Sequence, residues 1–143
     1  MKTSNLAIEK IKSFEDCRLA AYQDSVGVWT IGYGSTLNVR RGMRISQAEA
    51  DRRFMFDLET AEIGLRKLNL NLTQGQFDAL ADFVFNLGVG KLTNSTLLKK
   101  IKANASTAQI QAEFRKWVYA GKKKANGLVK RREWEAQRWA NEL

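Results

Sequence analysis

A mostly helical α+β fold with one small antiparallel sheet near its N-terminus is predicted by three features of the sequence. Apolar residues recur at intervals of three and four through most of the chain beyond residue 46. Between Arg18 and Ile45 the texture changes to short β-prone runs broken by glycines at 27, 32, 34 and 42. The chain has 143 residues, enough to bury about two-thirds of its unfolded surface with no disulfide or metal to help.

A first helix is predicted by the spacing of Ala7, Ile8, Ile11 and Phe14, with Thr3 or Ser4 as its N-cap. It ends near Phe14, which leaves Glu15 at its exit. In the glycine-rich stretch, Trp29, Ile31 and Tyr33 alternate with Val28, Thr30 and Gly32, so period two places Thr30 on the face opposite the aromatic Trp29 and Tyr33. Asp24-Ser25-Val26-Gly27 supplies turn chemistry, letting Asp24 and Thr30 approach one another on either side of one hairpin.

Ser46-Gln47-Ala48-Glu49 fits a capping box ahead of a long amphipathic helix whose stripe is Ala50, Phe54, Leu58, Ala61 and Leu65. Thr73-Gln74-Gly75-Gln76 offers a second box before Phe77, Leu80, Ala81 and Val84, a pattern ended by Asn86-Leu87-Gly88-Val89-Gly90. Ser95 and Ser106 suit the caps of two further short helices, the second carrying Ile110, Phe114 and Trp117 on one side. Lys122-Lys123-Lys124, between Gly121 and Gly127, reads as a solvated loop, and a last helix begins near Gly127 and runs through Trp134 and Trp139. No repeat, low-complexity segment or proline-rich linker interrupts the chain, which reads as one domain over 1–143. Its β-containing part spans about 15–45 and its helical part about 46–143, packed with the N-terminal helix.

Composition narrows the chemistry. With no histidine and one cysteine, Cys17, an intramolecular disulfide, a histidine base and an imidazole metal site are excluded, and a zinc cluster is unsupported. No metal or other cofactor is called for. Cys17 has no histidine to activate it and reads as inert packing. Charged residues at Lys2, Glu9 and Lys10 interrupt the N-terminal apolar residues, so no secretion signal is expected. No stretch approaches the roughly 20 apolar residues of a membrane span.

The net charge of +9, from 24 basic and 15 acidic residues, favours a polyanionic partner. Nucleic acid, anionic lipid, lipopolysaccharide and the acidic bacterial wall all qualify, and much of the excess lies in Lys122-Lys123-Lys124 and Lys130-Arg131-Arg132. No nucleic-acid-binding motif accompanies that charge. Trp134 and Trp139 beside it raise the reading of an interfacial membrane helix, but five positions apart they fit one stripe poorly, and packing suits at least one of them.

Glu15 and Asp24 suit glycoside hydrolysis, which uses one carboxylic acid to protonate the leaving oxygen and a second carboxylate to activate water or attack the sugar. Glu15, between a helix's apolar stripe and a sheet, would sit against apolar walls that raise its pKa, whereas Asp24 at a turn would be solvated and ionised. Spacing alone is weak evidence, because a glutamate and an aspartate nine positions apart are common.

The run from Phe14-Glu15-Asp16-Cys17-Arg18 through Tyr22-Gln23-Asp24-Ser25 to Trp29-Thr30-Ile31-Gly32-Tyr33-Gly34 closely resembles the signature of the phage-type lysozymes, glycoside hydrolase family 24. In that family a glutamate, an aspartate (sometimes a cysteine) and a threonine stand at the spacing of Glu15, Asp24 and Thr30. The likeness continues in Phe85-Asn86-Leu87-Gly88, Thr93-Asn94-Ser95-Thr96-Leu97-Leu98, Trp117-Val118-Tyr119-Ala120-Gly121, Gly127-Leu128-Val129 and Arg131-Arg132-Glu133, nearly the whole chain.

The resemblance implies a lysozyme-like fold, a sheet-bearing lobe and a helical lobe flanking an active-site groove. It implies a muramidase of bacterial peptidoglycan cleaving the β-1,4 bond between N-acetylmuramic acid and N-acetylglucosamine. Glu15 would be the general acid, with Asp24 and Thr30 positioning the attacking water and the anomeric centre inverted. Gly34, Phe85 and Ser95 fall in segments that resemble the family's substrate groove, although Phe85 also suits the core and Ser95 an N-cap. Such an endolysin acts as a monomer without cofactor, held in the host cytoplasm until it reaches the periplasm and wall, with a holin as one route out. Electrostatic contact with the anionic envelope is expected, and nucleic acid is not.

Two departures stand out. Asp16 occupies the place of a usual glycine and adds a like charge beside Glu15, which should raise the glutamate's pKa. Ser35 stands where the family often has histidine, so any ion pair made by that histidine is missing. Three alternatives remain beside the muramidase: a lytic transglycosylase, whose anhydro product differs in mass, a basic nucleic-acid-binding module, and a cationic membrane-disrupting protein. The last two require activity to survive loss of Glu15.

Overall fold

The computed structural model describes residues 1–141, so the last two positions of the expected domain lie outside the described residues. In order the elements are α1 (Asn5–Phe14), β1 (Arg18–Gln23), β2 (Trp29–Gly32), α2 (Gln47–Arg66), α3 (Gln74–Leu87), α4 (Val89–Thr93), α5 (Thr96–Lys102), α6 (Thr107–Phe114), β3 (Tyr119–Ala120), β4 (Lys123–Lys124) and α7 (Asn126–Trp139). They form two compact units, one of Met1–Ile8 with the chain from Ala61 onward, the other of Glu9–Thr60. Strand gives way to helix near residue 46, whereas the units part between Thr60 and Ala61, inside α2.

Residues 9–60 hold the small sheet. β1 and β2 run antiparallel with Tyr22 opposite Thr30 and Gln23 opposite Trp29, and the register slips between Arg18 and Tyr22. The segment at 43–45 adds an edge through Ala21 N–H to Met43 O (2.8 Å) and Ile45 N–H to Leu19 O (2.9 Å). Beneath lie Ile11, Ile31, Ala50, Phe54 and Leu58, all buried, with Tyr33 edge-on to Phe54 at 5.5 Å. Lys12 stands over both of those rings at 5.4 Å and reaches Asp51 at 3.5 Å. Ser46 Oγ accepts from Glu49 N–H (3.1 Å), one arm of the expected capping box. Glu49 turns its carboxylate to Arg52 (2.7 Å) and Arg53 (3.5 Å), because a full guanidinium charge outcompetes the backbone amide of Ser46.

The larger unit is helical and centred on α3. Thr73 and Gln76 complete a reciprocal capping box, and Ser95 and Ser106 cap α5 and α6 through Leu98 N–H and Gln109 N–H. Phe83 meets Phe114 and Trp117 edge-on at 6.0 and 5.4 Å, and Trp139 packs on Phe114 at 5.9 Å. Trp134 and Trp139 are both buried, so packing accounts for both. The short α4 was not expected, since the glycines at 88 and 90 mark a helix end. Nor was the β3–β4 pair, where Tyr119 faces Lys124 and Ala120 faces Lys123 in the stretch that reads as a loop.

The tail's charge is only partly a surface property. Arg131 and Arg132 are buried at 4% and 0% exposure, which corrects their reading as part of a polyanion-facing patch. Arg131 forms a forked pair with Asp82 at 2.7–3.0 Å, and Arg138 holds Asp78 at 2.7 Å. Asp78 also accepts from Ser4 N–H (2.9 Å) and Ser4 Oγ (2.6 Å), so the residue that caps α1 through Ala7 N–H is itself anchored on α3. Gly75 permits the approach of α3 to α7, since a Cβ there would stand 2.6 Å from Arg138 O.

Arg132 Nε lies 3.0 Å from Glu135 Oε1, at ion-pair distance without hydrogen-bond alignment. Burial pushes the Glu135 carboxyl well above its ordinary range, Asp82 pushes it further, and Arg132 pulls it back. Two facing carboxylates would have no donor between them, whereas a proton on Glu135 turns its contact with Asp82 into a hydrogen bond.

Replacing Asp78 with alanine strands the buried guanidinium of Arg138 and should cost about 3–5 kcal/mol in urea denaturation. A loss below about 1 kcal/mol would show that pair to be peripheral. Because the folded pKa of Glu135 is raised, the stability it contributes is complete below about 4.5, its unfolded value, and is lost as pH rises through the folded value. Glu135→Gln keeps a neutral donor, so wild-type stability measured against this variant should fall between acid and neutral pH. A difference that stays flat would contradict the buried proton.

Candidate active site

Glu15 follows the last residue of α1, with its N–H on Lys12 O at 3.1 Å. Its carboxylate lies over the backbone of Gly34, where an added Cβ would come within 3.3 Å of Oε2. Gly34 has φ +83, a conformation that L side chains rarely adopt. It occupies the tight turn closed by Ile31 and Ser35, which exchange backbone hydrogen bonds at 2.9 Å in both directions. Glycine is therefore favoured at 34 by the turn, and a Cβ there would also press on the Glu15 carboxylate, which would have to give by a few tenths of an ångström.

Asp24 and Thr30 converge on one residue, Val28. Asp24 Oδ1 accepts from Val28 N–H (2.8 Å) and Val26 N–H (3.0 Å), and the backbone N–H of Asp24 donates to Val28 O (2.9 Å). Thr30 Oγ1 donates to the same Val28 O at 2.9 Å. These bonds fix the hairpin turn and assign protons: Oδ1 of Asp24 is occupied, and the hydroxyl hydrogen of Thr30 is spent. Toward a further molecule Asp24 offers Oδ2 and Thr30 an acceptor lone pair. Asp24 is exposed, Glu15 half-buried, and Thr30 only 5% exposed.

Alternation within β2 sets Thr30 apart from Trp29 and Ile31, but its face is not free of aromatics. The register puts Tyr22 of β1 directly across from it. Burial raises the Tyr22 phenol above its ordinary pKa, the nearby Arg18 lowers it, and the charges of Glu15, Asp16 and Asp24 raise it again. One phenol thus stands within electrostatic reach of both candidate carboxylates, and Arg18 stacks on its ring at 4.4 Å. The sequence reading passed over Tyr22. The available signal was its place two residues before Asp24, on the strand that leads into the hairpin turn.

Ser35 is buried at 2% exposure and accepts from Arg53 Nη1 at 3.2 Å. The same nitrogen donates to Leu37 O at 2.8 Å. A guanidinium from α2 thus braces the loop after Gly34, at the position where a histidine ion pair was expected to be missing. Cys17 is half-buried, with Sγ 3.9 Å from Gln47 Oε1.

A family model described as phage lysozyme matches residues 12–135. The chain belongs to the phage lysozyme family. This phage lysozyme is 38% identical over 143 residues to the endolysin of Acyrthosiphon pisum secondary endosymbiont phage 1, with 94% of this chain and 95% of that one covered. To the endolysin of Bacillus phage B103 it is 42% identical over 140 residues, covering 94% of this chain but 52% of the relative, so it spans about half that protein's length. Among solved structures, the muramidase domain of SpmX from Asticaccaulis excentricus matches with TM-score 0.88 and 33% identity over 96% of this chain and 97% of that one. The chain is a lysozyme-type glycoside hydrolase.

Glu15, Asp24, Thr30 and Gly34 lie together in residues 9–60, while Phe85 and Ser95 belong to the helical unit. Phe85 packs partly buried against the helical core with the Arg131 guanidinium 6.0 Å from its ring centroid. Ser95 is buried, accepting from Leu98 N–H (3.0 Å) and donating to Leu92 O (2.6 Å), so its hydroxyl serves α5.

Gly34→Ala should destabilise the fold by more than about 1 kcal/mol, because alanine is strained at positive φ. It should also slow the clearing of cell walls by roughly tenfold to a hundredfold by displacing Glu15. Destabilisation with clearing unchanged would separate the turn from the work of the Glu15 carboxylate.

Proposed function

We propose that this phage lysozyme cleaves the β-1,4 bond between N-acetylmuramic acid and N-acetylglucosamine in peptidoglycan, with Glu15 as general acid and Asp24 and Thr30 holding the attacking water. The observation that carries the proposal is the convergence on Val28. It leaves Asp24 Oδ2 and a Thr30 lone pair, two acceptors on one hairpin, to receive the two hydrogens of one water. As the water attacks, Asp24 takes its proton and Glu15 supplies one to the departing sugar oxygen, which keeps the charges balanced. Attack by a held water from the face opposite the leaving group inverts the anomeric centre.

Gly34 serves as the backbone floor beneath Glu15, and Phe85 and Ser95 remain our candidates for lining the sugar site, Ser95 through the helix it caps. Tyr22 joins this set as a neighbour of Thr30. The enzyme acts on the wall as a monomer, reaching it from the host cytoplasm with a holin's help. Among the described residues no helix is long and apolar enough to cross a membrane.

A lytic transglycosylase breaks the same bond without water, and a pair of acceptors arranged for water is a reason to favour hydrolysis. Glu15→Gln should lower the release of soluble muropeptides from purified walls by about a hundredfold or more, with the fold intact by circular dichroism. Wild-type products should have reducing ends in the mass spectrum. Anhydro ends would assign a transglycosylase, and undiminished release by the variant would remove Glu15 from the chemistry.

A further inference from the structure

Ion pairing across the helical unit is uneven. Lys100 and Lys116 share Glu113 at 2.8 and 2.7 Å, Arg115 is paired with Glu133 at 2.9 Å, and Arg131 and Arg138 are held by Asp82 and Asp78. From Phe114 to Arg132 the sequence contains no acidic residue at all. The acids flanking that stretch, Glu113 and Glu133, are already engaged, and the pKa of each is held below its ordinary value by those lysine and arginine hydrogen bonds. Lys122, Lys123, Lys124 and Lys130 are exposed and make no ion pair among the described residues.

Three of these four lysines sit on the β3–β4 hairpin, which projects from a fixed base. Val118 is buried, and Ala125 N–H donates to Val118 O at 2.9 Å, closing the hairpin where α7 begins. Every residue from Tyr119 to Lys124 is exposed. Cross-strand pairing gives the two faces different chemistry: Tyr119 lies beside Lys124 on one, Ala120 beside Lys123 on the other, with Lys122 at the tip. Tyr119 is 61% exposed, a large aromatic surface left to solvent next to an unpaired ammonium.

We infer that this hairpin is a docking prong for an anionic, phosphodiester-containing sugar polymer of the bacterial wall, in which Tyr119 packs on a sugar ring while Lys122, Lys123 and Lys124 pair with its phosphate groups. The inference rests on the reading of the chain as a wall hydrolase, which selects a sugar polymer over other polyanions. A lipid surface fits less well, because Tyr119 is the hairpin's only large apolar side chain and interfacial binding needs a broad apolar face. Exposed ammonium groups act through a screened field with a reach of about 8 Å at physiological salt, so their contribution fades as salt rises. Stacking of the tyrosine does not.

The test measures co-sedimentation with purified walls, intact or stripped of phosphodiester-linked polymers with hydrofluoric acid, using protein that also carries Glu15→Gln so that the walls persist. Combined Lys122→Gln, Lys123→Gln and Lys124→Gln should weaken binding to intact walls about tenfold at low salt and little at high salt. Tyr119→Ala should weaken it by a factor that salt leaves unchanged, and stripped walls should bind both hairpin variants and their parent alike.

Equal binding of the lysine variant and its parent to intact walls would overturn the inference. So would tighter lysine-dependent binding to duplex DNA or phosphatidylglycerol vesicles than to walls. With Glu15 restored, release of products from small uncharged glycan fragments should be the same with and without the hairpin lysines. If the Glu15 enzyme released nothing, the hydrolase reading would fail, while the binding comparison would still report on the hairpin.

Discussion

Two carboxylates on α3, Asp78 and Asp82, organise the helical unit by taking the guanidinium groups of Arg138 and Arg131 from α7. The four groups are buried, and a charge at that depth persists only when its partner is present and aligned. The pairing therefore specifies the packing of α3 on α7. Gly75 makes the approach sterically possible, and burial together with the neighbouring Asp82 pushes the Glu135 carboxyl above its ordinary pKa beside that pair. Asp78 extends the same constraint to Ser4, the start of α1, and Thr3 repeats it on Glu62 with bonds of 2.6 and 2.7 Å. The chain then runs through α1 to Glu15.

In residues 9–60 the corresponding economy lies in the backbone. One residue, Val28, holds both Asp24 and Thr30 and determines which of their lone pairs remain open. The Gly34 turn sets the floor under Glu15, and Arg53 secures the loop that follows through Ser35 and Leu37. The placement of these side chains thus depends on main-chain geometry that only a few residue types permit. That dependence is why Gly27, Gly32 and Gly34, all at positive φ, crowd the sequence around Asp24 and Thr30.

The helices were legible in the sequence because their signals are local. Thr73, Ser95 and Ser106 cap amides three residues onward, and the stripe from Ala50 to Leu65 is buried throughout. The fold class followed from those signals and from the glycine-broken strands, and of the six residues that the family resemblance named, Glu15, Asp24, Thr30 and Gly34 lie in residues 9–60 while Phe85 and Ser95 lie in the helical unit. What escaped depends on partners distant in sequence. Arg131 and Arg132 look like surface charge until Asp82 and Glu135 meet them, Arg53 gives no sign that it will brace Ser35, and Tyr22 neighbours Thr30 only once the strand register is set. The β3–β4 hairpin escaped for the opposite reason: two-residue strands rich in lysine carry no periodicity to read.

The account turns on a water held by Asp24 and Thr30, and the most direct test is the anomeric configuration of the first product. Proton NMR of a defined muropeptide oligomer, recorded before mutarotation, should show the α-anomer at the newly formed reducing end, the signature of direct attack by water on a β-bond. A nascent β-anomer would mean double displacement through a covalent intermediate and would contradict the roles assigned to Asp24 and Thr30.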